Sequence, residues 1–171
     1  MSGNEKNVVK ALESGLSPKA EKTMIVCACI MLLSVLLHDG DHIRQAVNWG
    51  YNIPMSLWVL NLTVYVLPVI SIFLSKLGRF SSTIVTAAAG VFTSASFLIL
   101  HLCGSASGLW GVWNYSYFEL IKGVTYNGIF YQGIDWISWV FLFEVPALCL
   151  PGTVISLKEF FKAGKVRKEH E

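Results

Sequence analysis

The chain has 171 residues, 54% of them apolar and only 14% charged, with a formal net charge of +2. Together with a positive mean hydropathy, this is too oily for an ordinary soluble domain and points to a single membrane domain. The basic residues are scattered through tails and one short connection, which excludes a nucleic-acid footprint and leaves the lipid bilayer as the expected partner.

Residues 1–22 are polar and mixed in charge, with a short amphipathic run at Val8–Leu12 ended by Gly15 and Pro18. They are too long and too mixed for the n-region of a signal peptide. No small-residue cleavage site follows the first apolar run, so that run is expected to stay in the membrane. Four apolar segments come next, each near the roughly 20 residues needed to cross about 30 Å of hydrocarbon.

The first runs from about Thr23 to Leu37 and reaches full length only by borrowing His38–Gln45. The second starts near Pro54, a good first-turn residue, and runs to Leu74 with a kink expected at Pro68. The third covers Thr83–Cys103, where Ala87-Ala88-Ala89-Gly90 and Ser94-Ala95-Ser96 offer a small-residue surface for close helix packing. The fourth covers Ile134–Leu157, with Pro146 and Pro151 inside it. The expected fold is therefore an all-α integral membrane protein, a bundle of four transmembrane helices.

Cys27, Cys29, Cys103 and Cys149 all lie in or at the ends of apolar segments, with no C-x-x-C pair, and read as small apolar residues. The connection 104–133 is rich in aromatics, from Trp110 and Trp113 to Phe130 and Tyr131. It suits an interfacial belt, or a short helix at 113–122 lying over the bundle as a lid.

Lys and Arg set the orientation. Eleven of them fall in 1–22, in 75–82 and after Leu157, against two, Arg44 and Lys122, in the alternate connections. The positive-inside rule then makes both termini cytoplasmic and turns 38–53 and 104–133 outward. This divides the chain into a cytoplasmic segment 1–22, a transmembrane domain 23–158 and a basic tail 159–171.

The densest ionisable cluster is Ser34–Gln45. On a continuous helix, residues three and four apart share a face, so Ser34, His38, Asp41, His42 and Gln45 form one polar stripe. Two histidines at i and i+4 with a carboxylate between them can chelate a transition metal. The plainer reading is a polar helix end, with Asp39 and Asp41 paired to Arg44.

Depth brings in other segments. At about 1.5 Å of rise per residue, His38 and His42 lie roughly 22 and 28 Å from the inner edge, and His101 roughly 27 Å. Asp135 stands at the outer start of the fourth segment. His101 shares a stripe with Phe97, Ser94 and Gly90, the close-packing side, and so is expected to point into the bundle.

Glu144 is nine residues past Asp135, on nearly the opposite helix face and close to mid-membrane. It is expected to be a protonated hydrogen-bond donor, to meet a second subunit, or to line a water-filled path. Asn61, Thr63 and Tyr65 are its possible partners at intermediate depth.

These features suggest an outward-facing transition-metal site. Its ligands would be His38, His42 and His101, with Asp41 or Asp135 completing the set and Asp39 or Gln45 orienting a ring. Copper or zinc suits such donors, and iron is a third option. The role of the ion (catalytic, transported or structural) stays open, and with it any enzyme activity. Three alternatives stand beside this reading. One is a proton- or ion-conducting transporter or channel subunit using His38, Asp41, His101 and Glu144, which would need a homo-oligomer. Another is a haem or quinone redox subunit with His38 and His101 as axial ligands. The last is an accessory subunit of a larger membrane complex.

Overall fold

A computed structural model describes residues 15–49, 52–103, 124–126, 129–131 and 134–168. Among the described residues there are four helices, α1 (Pro18–Trp49), α2 (Met55–Lys76), α3 (Ser81–Leu102) and α4 (Trp136–Lys168). Each contains a window long and apolar enough to cross a membrane, the pattern of a multi-pass membrane protein. The helices run alternately up and down. α1 packs against α2 and α4, and α3 completes the ring between α2 and α4, with α1 and α3 on the diagonal.

α1 passes through Gly40 without interruption, so the polar stretch is helix and not a frayed end. α2 ends in a Schellman motif. Gly78 takes a left-handed φ of 65°, its N–H donates to Ser75 O at 2.8 Å, and the Arg79 N–H donates to Leu74 O at 2.9 Å. These bonds satisfy carbonyls that the helix end would otherwise orphan, and α3 follows within a few residues. The same end of the bundle holds a Gly15–Arg79 backbone bridge and a Phe80–Phe160 ring contact with centroids 5.0 Å apart.

Close approach of α3 to its neighbours rests on the small-residue surface. A Cβ on Gly90 would collide with Thr153 Oγ1 and stand 2.6 Å from Cys149 O and 3.0 Å from the Met31 methyl. Hydroxyls join helices: Ser71 to Thr86 across α2 and α3, and Thr153 Oγ1 to Ala87 O at 3.1 Å across α4 and α3. Met31, Val35, Val64, Ala89, Phe97, Leu142, Val145 and Cys149 fill the centre. Cys27 and Cys149 are buried while Cys29 and Cys103 are exposed, all four as free thiols.

The structure departs from the sequence expectation at several points. Pro54 caps α2 from outside instead of occupying its first turn. α4 begins at Trp136 and continues to Lys168, into the basic tail. The connection before α4 contains a short antiparallel pair, β1 (Val124–Tyr126) and β2 (Ile129–Tyr131), with Thr125 opposite Phe130. β-branched and aromatic residues flanking Asn127-Gly128 carry the sequence signal of a hairpin, which the helix-oriented reading passed over. The lid expected at 113–122 lies outside the described residues.

Candidate metal centre

The α1 stripe faces inward as its spacing requires. Ser34, His38 and Gln45 are fully buried and Asp41 is 3% exposed, whereas Ile43 on another face is 53% exposed. From α3, His101 and Phe97 enter the same space, 2% and 5% exposed. His101 thus reaches α1 across the bundle diagonal, near its axis.

The three histidines converge through one atom each. His38 Nε2 lies 3.1 Å from His42 Nε2 and 3.0 Å from His101 Nε2, and the remaining pair is 3.4 Å apart. The His42 and His101 rings are stacked with an interplanar angle of 19°. Phe97 meets His38 edge-on, with centroids 4.4 Å apart, and closes that side with hydrocarbon.

His38 Nδ1 lies 3.3 Å from the Phe141 carbonyl of α4. A carbonyl only accepts, so Nδ1 carries the hydrogen and Nε2 presents its lone pair to the other two rings. A backbone carbonyl thereby fixes the tautomer and orientation that a metal-binding imidazole needs.

At 3.0–3.4 Å the three nitrogens suit either hydrogens shared between rings or, where all present lone pairs, a cation held among them. His38, His42 and His101 could together hold one ion through Nε2, at the metal–nitrogen bonds of about 2.0–2.1 Å that imidazole makes. With three protein ligands, such an ion would keep a coordination position for a further ligand, as catalytic zinc sites do. Among the described residues these three histidines form the group suited to hold a metal ion.

The carboxylates go elsewhere. Asp41 Oδ1 accepts from Arg44 Nε at 2.8 Å, and its Oδ2 accepts from Gln45 Nε2 at 2.8 Å. Asp135 Oδ2 accepts from Arg44 Nη2 at 2.5 Å, and the same Nη2 lies 2.7 Å from Asp41 Oδ1. Asp135 Oδ1 accepts from the Ile137 N–H at 3.0 Å and so caps α4. The structure therefore does not bring Asp41 or Asp135 into the histidine group. Arg44, three residues from Asp41, engages both carboxylates.

Ser138 completes this network, accepting from Gln45 Nε2 at 2.5 Å and from Arg44 at 3.2 Å. Sequence reading missed it, although its position three residues after the capping Asp135 puts it on the same side of the helix. The role of Phe141 has no sequence signal at all, because every residue carries a carbonyl.

Asp39 turns away from the histidines toward α2, where its Oδ2 accepts from Asn61 Nδ2 at 2.7 Å and from the Tyr65 hydroxyl. Asn61 and Tyr65 are thus engaged by Asp39 and not by Glu144. Glu144 Oε2 accepts from Ser34 Oγ at 3.2 Å instead, one helical turn from His38. Both Asp135 and Glu144 reach α1. The opposite-face expectation assumed a helix through both, but Asp135 precedes α4 and its side chain is set by the cap.

Searches for a matching family model, a characterised relative and a similar solved structure found no match to this chain.

Proposed function

We propose that this protein is a multi-pass membrane metalloprotein that holds one divalent transition-metal ion, copper or zinc, through His38, His42 and His101. The observation that carries the reading is the triangle of Nε2 atoms with sides of 3.0, 3.1 and 3.4 Å. It matches what one ion with bonds of about 2.0–2.1 Å requires. Charge supports it. Asp39, Asp41 and Asp135 carry three formal negative charges at this level against the single positive charge of Arg44. A divalent cation held by neutral imidazoles offsets that excess. All three ligands come from one chain, so the site needs no second copy.

The asymmetry of Lys and Arg puts this layer on the extracytoplasmic side, with both termini cytoplasmic. The open fourth position suits a substrate or a passing ligand better than a purely structural ion.

A second reading draws on the Ser34–Glu144 hydrogen bond beside His38. Without metal, the three nitrogens would share protons, and the histidines with Glu144 would form a proton path in a transporter. The haem alternative finds no support in the spacing. Axial ligands must approach iron from opposite sides, about 4 Å apart at bonds of about 2 Å, and His38 and His101 converge more closely.

Metal content decides between the first two. Mass spectrometry of the purified protein should find about one equivalent of copper or zinc in the wild type and in His170→Ala, a tail control. His38→Ala, His42→Ala and His101→Ala should each lose it. A wild type without metal, or a His101→Ala variant with full occupancy, overturns the metal reading.

A further inference from the structure

Between α2 and α3 lies a half-open cavity of about 440 Å³ that reaches the histidine group. Its rim includes Leu60, Phe92 and Ile99, which are 40%, 42% and 53% exposed. Its floor is formed by Val64, Phe97 and His101, at 4%, 5% and 2%. His42 also lines it, so two of the three converging rings border one continuous space. Trp58, Leu57 and Leu100 make most of the remaining wall apolar.

We propose that this cavity takes a neutral, chain-like, lipid-soluble molecule. It would enter sideways from the bilayer between α2 and α3 and bring one end to the ion at His42 and His101. The inference rests on the metal reading for what the molecule meets, but not for what fills the cavity.

The argument is one of volume, wall and mouth. The volume lies within the range of small-molecule sites, about 300–1,000 Å³. A wall this apolar offers water too few partners to stay. The mouth opens among exposed apolar residues of the α2 and α3 membrane-crossing windows, where the medium is hydrocarbon and not water. Lipid chains thus have direct access, whereas an ion or a sugar would have to leave water first.

The end of the molecule is constrained too. The carboxyl group of Asp39 also lines the cavity, tied at one oxygen to Asn61 and Tyr65. An anionic head, such as that of a fatty acid, would face this carboxyl group. A cationic head would face the metal centre. A neutral end such as an alcohol meets neither penalty and can offer an oxygen to the open coordination position.

The test uses the full-length protein in detergent with a diazirine-bearing hexadecanol as photoprobe, mapped by peptide mass spectrometry. Labelling should concentrate on α2 and α3 around Trp58 and Ser96. Excess hexadecanol should suppress it at least tenfold, and palmitate at alkaline pH should not. Ala95→Trp, which fills the cavity, should cut the labelling by a similar factor while leaving metal content unchanged. Thr63→Phe, at the more exposed mouth, should do the same if Ala95→Trp fails to fold.

Labelling spread evenly over all four helices overturns the proposal, as does equal competition by palmitate. Cavity labelling that survives in a folded Ala95→Trp or Thr63→Phe variant overturns it as well. Metal content measured on the same preparations separates the two readings. Cavity-confined labelling of a metal-free protein removes the ion and keeps the occupant.

Discussion

His38 and His101 bring their Nε2 atoms to within 3.0 Å although 63 residues separate them in the chain. The contact crosses the diagonal of the bundle, where α1 and α3 touch far less than neighbouring helices do. An ion bound there would tie two helices that no connecting loop joins directly, and would so link binding to folding. At a free metal concentration a hundredfold above Kd, the linkage should add about 2.7 kcal/mol to stability. The melting temperature in detergent should fall on chelation, recover with added zinc or copper, and lose this response in His101→Ala. A wild type indifferent to chelator would count against the centre. Acid should release the ion, since proton and metal compete for the same lone pairs.

Arg44 is the hub of the second network, its Nη2 shared between Asp41 and Asp135. Its own side chain is 33% exposed, but that of Asp41 is completely buried. Arg44→Leu leaves a buried carboxylate with only Gln45 to bond it, and should cost about 1–3 kcal/mol. Arg44→Lys should recover part of this, because an ammonium restores the charge without the fork that serves both carboxylates. Denaturation of the three proteins in one detergent gives the order. Equal stability of the Leu and Lys variants would mean that the network contributes by packing alone.

Much of this arrangement is legible in the sequence because hydrocarbon is a demanding solvent. Segments that cross it must be long and apolar, which reveals α1 to α4. The His38/His42 pair follows from a repeat of four, and His101 joins them once helical rise is counted along α3. The carboxylates are harder to read. Composition ranks Asp41 and Asp135 as metal ligands, but Arg44 lies one turn from Asp41 and takes both. Helical phase fails at Asp135 because that residue caps α4 instead of belonging to it. Ser138 and the Phe141 carbonyl become visible only when α4 is seated against α1.

Two helical glycines should respond in opposite directions to the same change. A Cβ on Gly40 meets nothing within 4 Å, whereas one on Gly90 strikes α4 at Thr153 and at the Cys149 carbonyl. Gly40→Ala should stabilise by about 0.4–1 kcal/mol through the unfolded chain and helix propensity. Gly90→Ala forces α3 from α4 and should destabilise by about 1–3 kcal/mol. Thermal melts of the two variants test the packing of α3. A Gly90→Ala protein as stable as wild type would show that α3 and α4 do not approach as closely as described.

Orientation can be tested without reference to the metal. Cysteines introduced at Ser81 and Ser107, in a background lacking Cys27, Cys29, Cys103 and Cys149, should react with a membrane-impermeant thiol reagent from opposite sides of the membrane. Ser81 opens α3 beside the basic turn at Lys76 and Arg79, expected to be cytoplasmic. Labelling of both from one side would contradict the up-and-down insertion of four helices.

Glu144 separates the metal reading from the proton-path reading. One oxygen, Oε2, accepts from Ser34 at 3.2 Å. The other, Oε1, is buried with no hydrogen-bond partner among the described residues. Glu144→Gln keeps the shape and an acceptor for Ser34, so the fold should melt as the wild type does. Glu144→Ala strands the Ser34 hydroxyl and should cost about 1–3 kcal/mol. Both variants should keep their metal, because the partner that orients His38 is the Phe141 carbonyl and not the Glu144 side chain. Proton flux into liposomes gives the opposing expectation. A relay through Glu144 would stop in Glu144→Gln, whose amide cannot pass a proton on, even though the protein folds. Flux that Glu144→Gln abolishes, in a protein that binds no metal, would assign the histidine triangle to proton sharing.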